Sequence, residues 1–510
     1  MQRLGFTSPG PWLGLLVTAT AGLAIVAGLA PSPLLPPLPE GMGPPAFLER
    51  IALGIGLDGI DSATATLRAS VLMGIAVIAF LTLCLLAWNG RLSTRAAVWT
   101  ALGLIAAVTF LPPLLSRDVY SYAIYGRIWA VAGSNPYVHP PIEFLQDPFI
   151  YVVSAEWIEA RSVYGPAFTI ASGGIVKAFP SVPATVFAFK AVSAIAAAAT
   201  VVIGVRLAER ARPGRGAFVA AALGLNPVVL FHTVGGGHND VLVGLAVVGA
   251  LALWSRRPLA ATAVLTLGTL VKLVAAVPLG LALGVIWLRA KPFGPPESGT
   301  PTVGPAVRDR VRAAWPHVAV AVAITAVLFA PFGYSRATLS SFATLVSRLG
   351  WASPVRLVAY KAGDAGANVG GLDVAQAISA LAQAAFTALG VLFLFLILRC
   401  VLRRDPRVGP AEAWGWGLLV TSLCAAYLLP WYVVWFLPAL VLTTRPLPIV
   451  VGISAAALLA LTGIPAEPSF DSAAWSAMLL VVHYVIAPVM LGLLVALLID
   501  VRRVLFAGRN

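Results

Sequence analysis

The sequence predicts an all-α polytopic membrane protein, one helical bundle taking in residues 1–510. Three observations carry that expectation. Hydrophobic residues make up 59% of the chain and charged residues only 11%, against about 25% charged in soluble domains. Mean hydropathy is +0.92. Apolar runs of roughly 15–25 residues recur from end to end, the length that crosses about 30 Å of hydrocarbon. This composition leaves no room for a large water-soluble domain.

The first apolar run, 11–30, follows Arg3. A signal peptide has the same layout, but this run is long for one and reads as a first membrane helix. Further crossings are expected near 68–89, 96–115, 182–205, 217–232, 240–254, 258–272, 273–288 and 317–332. The remainder fall near 374–399, 413–430, 431–444, 447–464 and 475–500, and some close pairs are short or broken helices. Residues 166–180 are short and Gly-rich, and read as a re-entrant or partly embedded helix.

Charge decides that last assignment. With 166–180 not crossing, about 22 of the 34 Lys and Arg residues fall on the cytoplasmic side, as the positive-inside rule requires. About 14 of the 20 acids fall on the other side. Both termini are then cytoplasmic, in the plasma (inner) membrane. The basic pI near 10.2 follows from this sorting. With no basic stripe interleaved with exposed aromatics, no nucleic-acid partner is expected. Cys84, Cys400 and Cys424 form no disulfide or metal pattern.

The loops localise the chemistry. The stretch 289–316 is Pro/Gly-rich and basic, and reads as a cytoplasmic linker. Of the long outer loops, 31–67 is Pro-rich and reads as a spacer, whereas 116–165 and 333–373 hold the unusual polar residues. The former opens Ser116-Arg117-Asp118-Val119-Tyr120-Ser121-Tyr122, continues through Arg127, and reaches Asn135-Pro136-Tyr137. A carboxylate at the mouth of a span is partly desolvated, which raises its pKa toward a value useful for accepting a proton. Arg117 beside it can bind an anion. An interfacial Arg-Asp pair among belt tyrosines is the plainer alternative.

A second cluster, Asn226-Pro227 and Gly235-Gly236-Gly237-His238-Asn239-Asp240, joins two spans. It lacks a metal-ligand spacing. Asn239 or Asp240 can cap the next helix, and a substrate-orienting role is compatible with capping. In 333–373, Arg336, Arg348, Arg356 and Lys361 stand near Trp351 and Tyr360. Arginine suits bidentate phosphate recognition, and lipid headgroups offer the same chemistry. Lys272, between two apolar halves, is explained equally by snorkelling. Pro430-Trp431-Tyr432 and Trp435 read first as an interfacial belt and second as a substrate platform.

The ordered set Ser116–Tyr122, Gly133–Tyr137, Tyr164-Gly165-Pro166, Asn226-Pro227 and Gly237–Asp240 resembles the GT-C glycosyltransferases. Within them it is most similar to the polyprenyl-phosphomannose-dependent α-1,6-mannosyltransferases that extend lipomannan. The motifs lie between 116 and 240, and the later half matches mainly in layout. The resemblance implies a GT-C-type bundle of about 13 transmembrane helices, with the active site formed by outer-face loops. It implies a polyprenyl-phosphate sugar donor, a glycolipid or glycan acceptor, and no metal or other cofactor. The family's acidic base maps onto Asp118. Residues expected at the donor phosphate are Arg117, Lys272, Arg348 and Arg356. Residues expected at the sugars are Tyr120, Tyr122, Arg127, Asn135, Tyr137, Tyr164, His238, Asn239 and Asp240.

The residues themselves are compatible with that chemistry. Inverting transfer from a lipid phosphate needs one base at the acceptor hydroxyl and cations at the leaving phosphate. There is no G-x-x-x-x-G-K-[ST] loop for a soluble nucleotide. A transporter or lipid flippase is the main alternative, but such proteins place acids near mid-membrane, and none of the 20 acids here falls mid-span.

Overall fold

A computed structural model describes residues 8–57, 59–290, 306–340, 350, 352–402 and 408–506. Among them every regular element is helical. The chain begins with α1 (Gly10–Ala27), α2 (Ala46–Gly54), α3 (Ser62–Trp88) and α4 (Thr94–Thr109). There follow α5 (Asp118–Ala130), α6 (Ala155–Ile158), α7 (Pro166–Ala178), α8 (Val182–Ala211) and α9 (Gly216–Gly224). Next come α10 (Val241–Trp254), α11 (Pro258–Val271), α12 (Ala276–Arg289), α13 (Val307–Phe329), α14 (Arg336–Ser340) and α15 (Pro354–Leu402). The last five are α16 (Pro410–Cys424), α17 (Val433–Leu440), α18 (Pro446–Ala460), α19 (Ser472–Val481) and α20 (Ala487–Phe506).

Local chemistry sets many of these limits. The side chains of Asp61, Ser93 and Asp471 accept hydrogen bonds from Thr64, Ala96 and Ala474, capping α3, α4 and α19. Proline opens α7, α8, α11, α16 and α18, where the missing N–H costs nothing. At Asn226-Pro227 the chain bends by 49° between α9 and a π-helical stretch, Val228–Gly235. Asn226 spans the break, donating to Ala222 O at 3.2 Å and accepting from Val228 N at 3.0 Å.

Among the described residues six helices are long and apolar enough to cross a membrane, or seven if the bent pair counts as one span. They make this a multi-pass membrane protein. Six shorter apolar helices of 10–17 residues stand beside them, and the expected count of about 13 is reached only if these cross as well. Helix α10 packs on α8, α11 and α17, while α4 packs on α8 and α9. Small residues let backbones approach: a Cβ on Gly126 of α5 would stand 2.8 Å from the Ser172 backbone of α7.

Several limits differ from the sequence expectation. The loop 116–165 contains α5, whose tyrosines 120, 122 and 125 are buried in an aromatic cluster with Phe149, Tyr164 and Phe168. The loop 333–373 turns helical at Pro354 and runs unbroken into the following span. Ser353 sets that start by accepting from Val355 N at 3.1 Å. The linker 289–316 is shortened at both ends, since α12 continues to Arg289 and α13 begins at Val307. The Pro-rich stretch after α1 is no free spacer. Its backbone accepts hydrogen bonds from Leu115 N at Leu34 O (2.9 Å) and from Ala466 N at Pro33 O (2.7 Å).

Candidate active site

The site begins at the end of α4. Lys190 of α8, 1% exposed, donates to the carbonyls of Val108, Leu111 and Pro112, groups that a helix terminus leaves without internal partners. This clamp fixes the strap into α5. Leu114 N bonds Gly235 O at 3.1 Å. Leu115 has φ of 60°, a conformation uncommon outside glycine and held here by its bond to Leu34. Ser116 then accepts from Asp118 N at 3.1 Å, and Asp118 opens α5.

The turn before α10 supplies the facing groups. Gly237, at φ of 71°, turns the chain so that His238 Nδ1 stands 3.5 Å from an Asp118 oxygen and 3.9 Å from one of Asp240. The Tyr122 hydroxyl lies 3.4 Å from the same nitrogen and donates to Asn239 Oδ1 at 3.2 Å. The imidazole stacks on Trp431, with centroids 3.7 Å apart. Burial, with Lys272 and His232 adding to it, holds His238 well below its ordinary pKa, so the ring is neutral.

Asp240 occupies the N-cap position of α10 without capping it. Its carboxylate instead accepts from Lys272 Nζ at 2.7 and 2.8 Å and from Trp435 Nε1 at 2.7 Å. Lys272 reaches it because the chain breaks between Val271 and Leu273, separating α11 from a 3-10 turn. The snorkelling reading is therefore corrected: the ammonium turns to a buried partner.

A cavity of about 600 Å³ opens above these groups. Arg117, Asp118, Glu156, His232, Trp431 and Glu467 are on its wall. Asp118 is 18% exposed there. Burial, reinforced by the carboxylates of Asp240 and Glu156 and opposed by Lys272, pushes its pKa up to about 7. Arg117 is gripped by Glu467 through two hydrogen bonds of 2.5 and 2.6 Å. The wall thus offers a carboxylate titrating near neutrality, a guanidinium and an aromatic surface. Among the described residues no group of three or more His, Cys, Asp or Glu side chains is placed to hold a metal ion.

Of the residues singled out in the sequence, Arg117, Asp118, Tyr122, His238, Asn239, Asp240 and Lys272 come together here. Tyr164 sits behind them, edge-on to Tyr122 at 4.9 Å. Tyr120 is fully buried against Phe149 and does not line the cavity. Three others serve the surrounding framework. Arg127 pairs with Asp147 at 2.6 Å. Asn135 donates to Phe332 O at 2.8 Å. The Tyr137 hydroxyl donates to Tyr164 O at 2.8 Å. Arg356, in the first turn of α15, is half-buried near His483 and off the cavity wall. Arg348 lies outside the described residues.

Sequence reasoning missed Glu467 and Glu156. Glu467 comes from the short polar stretch between α18 and α19, 350 residues from the arginine it holds. Against the expectation of an interfacial belt at 430–435, Trp431, Tyr432 and Trp435 are 7%, 6% and 5% exposed. Their place is against His238 and Asp240.

Comparison with known proteins bears on this arrangement. Residues 45–289 match the family described as alpha-(1->6)-mannopyranosyltransferase, N-terminal domain. Alpha-(1->6)-mannopyranosyltransferase A of Corynebacterium glutamicum is 30% identical over 239 residues, 45% of this chain and 46% of that protein. A probable alpha-(1->6)-mannopyranosyltransferase of Mycolicibacterium smegmatis is 27% identical over 395 residues, 70% of this chain and 66% of its own. Alpha-(1->6)-mannopyranosyltransferase A of Mycobacterium tuberculosis is 26% identical over 355 residues, covering 65% and 62%. The chain thus spans between about half and two thirds of the length of these relatives. No solved structure matches. The segment that builds Arg117, Asp118, His238, Asp240 and Lys272 falls wholly within 45–289, the stretch that is similar to the N-terminal domain of the alpha-(1->6)-mannopyranosyltransferases.

Proposed function

We propose that this protein transfers mannose from a polyprenyl-phosphate donor to a hydroxyl of a glycolipid or glycan acceptor, with inversion at the anomeric carbon. It works at the outer face of the plasma membrane, with both termini cytoplasmic and the whole chain forming one GT-C-type domain. The observation that carries the reading is the Asp118 carboxylate, raised to about 7 on a cavity wall that also bears Arg117. A base of that strength is well matched to a neutral operating pH.

The reaction is a single displacement. The acceptor oxygen attacks the anomeric carbon of mannose, and the bond from that carbon to the phosphate oxygen breaks. Asp118 takes the hydroxyl proton as the polyprenyl phosphate leaves with the bonding electrons. Arg117 faces the departing phosphate, where a guanidinium offers paired donors to two oxygens. His238, neutral and stacked on Trp431, holds its Nδ1 toward Asp118 and fixes where the carboxylate points. The Asp240–Lys272 pair anchors the turn that carries His238. The relatives' names add the 1→6 linkage to the proposal.

The test supplies membranes containing the protein with radiolabelled polyprenyl-phosphate mannose and an α-mannoside acceptor. The expected product carries a new α-1,6 bond. Label that stays on the prenyl lipid, or that moves across the bilayer without transfer, contradicts the proposal.

A further inference from the structure

The catalytic cavity has a neighbour. A second space of about 760 Å³ lies between the C-terminal end of α1, the Pro-rich stretch that follows it, α2 and the start of α3. Its volume is within the roughly 300–1,000 Å³ of cavities that hold small ligands. Glu467, beside Ser469 and Phe470, closes it on one side, and the same Glu467 lines the catalytic cavity. The partition is thus the Arg117–Glu467 pair and the short strap around it. The strap on the partition side is a built part of the fold, since Pro33 and Leu34, between the lining residues Ser32 and Leu35, accept hydrogen bonds from Ala466 and Leu115.

The lining has mixed chemistry. Glu49 and Ser469 bring a carboxylate and a hydroxyl, Glu467 and Ser62 are already bonded to Arg117 and Asp471, and Phe470, several prolines and aliphatic side chains such as Leu53 and Ile60 bring apolar faces. Carboxylates and hydroxyls hydrogen-bond sugar hydroxyls, while flat apolar side chains take the C–H face of a pyranose. A catalytic cavity of about 600 Å³ has to admit the donor mannosyl phosphate and the sugar being modified. A longer glycan needs room beyond it, and the adjoining space is the one that shares its wall.

We infer that this second cavity binds the inner sugars of an oligosaccharide acceptor whose terminal residue reaches Asp118. The inference rests on the transferase reading and adds where the acceptor's length is recognised. The competing occupant is the donor's prenyl chain, because Phe47 and Ile51 of α2, and Ile55 that ends it, are exposed beside the cavity.

The experiment compares a mannose monosaccharide glycoside with an α-1,6-linked mannotetraose glycoside as acceptors, in wild-type protein and in Glu49→Gln and Ser469→Trp. Both changes sit at exposed positions on the cavity rim, so continued transfer to the short acceptor reports an intact fold. The expected result is a fall of about tenfold in the ratio of kcat/KM for the long acceptor over the short, the size of one lost charged hydrogen bond. An unchanged ratio in both variants, with both acceptors still mannosylated, overturns the inference while leaving the transferase reading in place. A raised KM for the donor with the ratio unchanged overturns it in favour of the prenyl chain. Failure of the wild-type protein to mannosylate either acceptor defeats the transferase reading and the inference with it.

Discussion

Replacing Lys272 by methionine separates an electrostatic anchor from its partner at nearly constant volume. In the native protein Nζ lies 2.7 Å from Asp240 Oδ1, and the carboxylate is fully buried. At an effective dielectric of about 20 the gross attraction is about 6 kcal/mol. Desolvation of the two ions offsets most of this, so the net worth of the pair is small. Losing one partner is a different matter. It leaves Asp240 without its cationic partner, with the Trp435 N–H still donating to it, and an uncompensated buried charge costs about 3–5 kcal/mol. Lys272→Met is therefore expected to lower the temperature of heat-induced aggregation in detergent by several degrees. Asp240→Asn should do the same. The double variant should recover most of the loss, because neither charge is then left alone. Fluorescence-detected size exclusion after a temperature series reads all three. Additive losses in the double variant would refute the argument that the two charges act as one buried pair.

The remaining expectations concern the cavity and its frame. Burial raises Asp118 to about 7, and a base acts in its deprotonated form, so kcat/KM should fall about tenfold per pH unit below that value. Initial rates from pH 5 to 9 check this, and a profile flat down to pH 5 contradicts it. Arg117→Ala should raise the donor KM far more than the acceptor KM, whereas Arg127→Ala should reduce stability by about 1 kcal/mol with donor KM unchanged, because its partner is Asp147. Steady-state kinetics with each substrate varied in turn distinguish the two. Gly165→Ala should depress the yield of folded protein, since a Cβ there collides with the Leu270 backbone. A wild-type yield would show that the segment before α7 can shift.

The membrane class was legible because apolar periodicity needs no partner to be seen. Candidates such as Asp118 and His238–Asp240 stood out because polar residues are rare in so apolar a chain. What the sequence hides is pairing across long separations. Nothing near Glu467 signals that it grips Arg117, and nothing near Trp435 signals that it donates to Asp240. Density of polar residues also misled. Arg127, Asn135 and Tyr137 sit in the richest polar stretch, yet each satisfies a backbone or carboxylate group of the cap over α5 and α7. Tyrosine between membrane and water reads as a surface residue, but Tyr120 and Tyr122 are wholly enclosed because α7 and the 144–164 segment fold over them. The Asp240 position was right for a helix cap in sequence, and a lysine 32 residues away claims its side chain instead.

The measurement that bears most directly on the account is the turnover of Asp118→Asn beside Asp147→Asn in equally expressed membranes. Asparagine keeps the shape and hydrogen bonding at 118 but cannot take a proton. Asp147 pairs with Arg127 away from the cavity wall. Asp118→Asn is expected to lose about 10²–10⁴-fold in mannosyl transfer, with donor binding retained and Asp147→Asn close to wild type. Near wild-type turnover by Asp118→Asn would contradict the account and move the search for the base to Asp240, then Glu143 and Asp147.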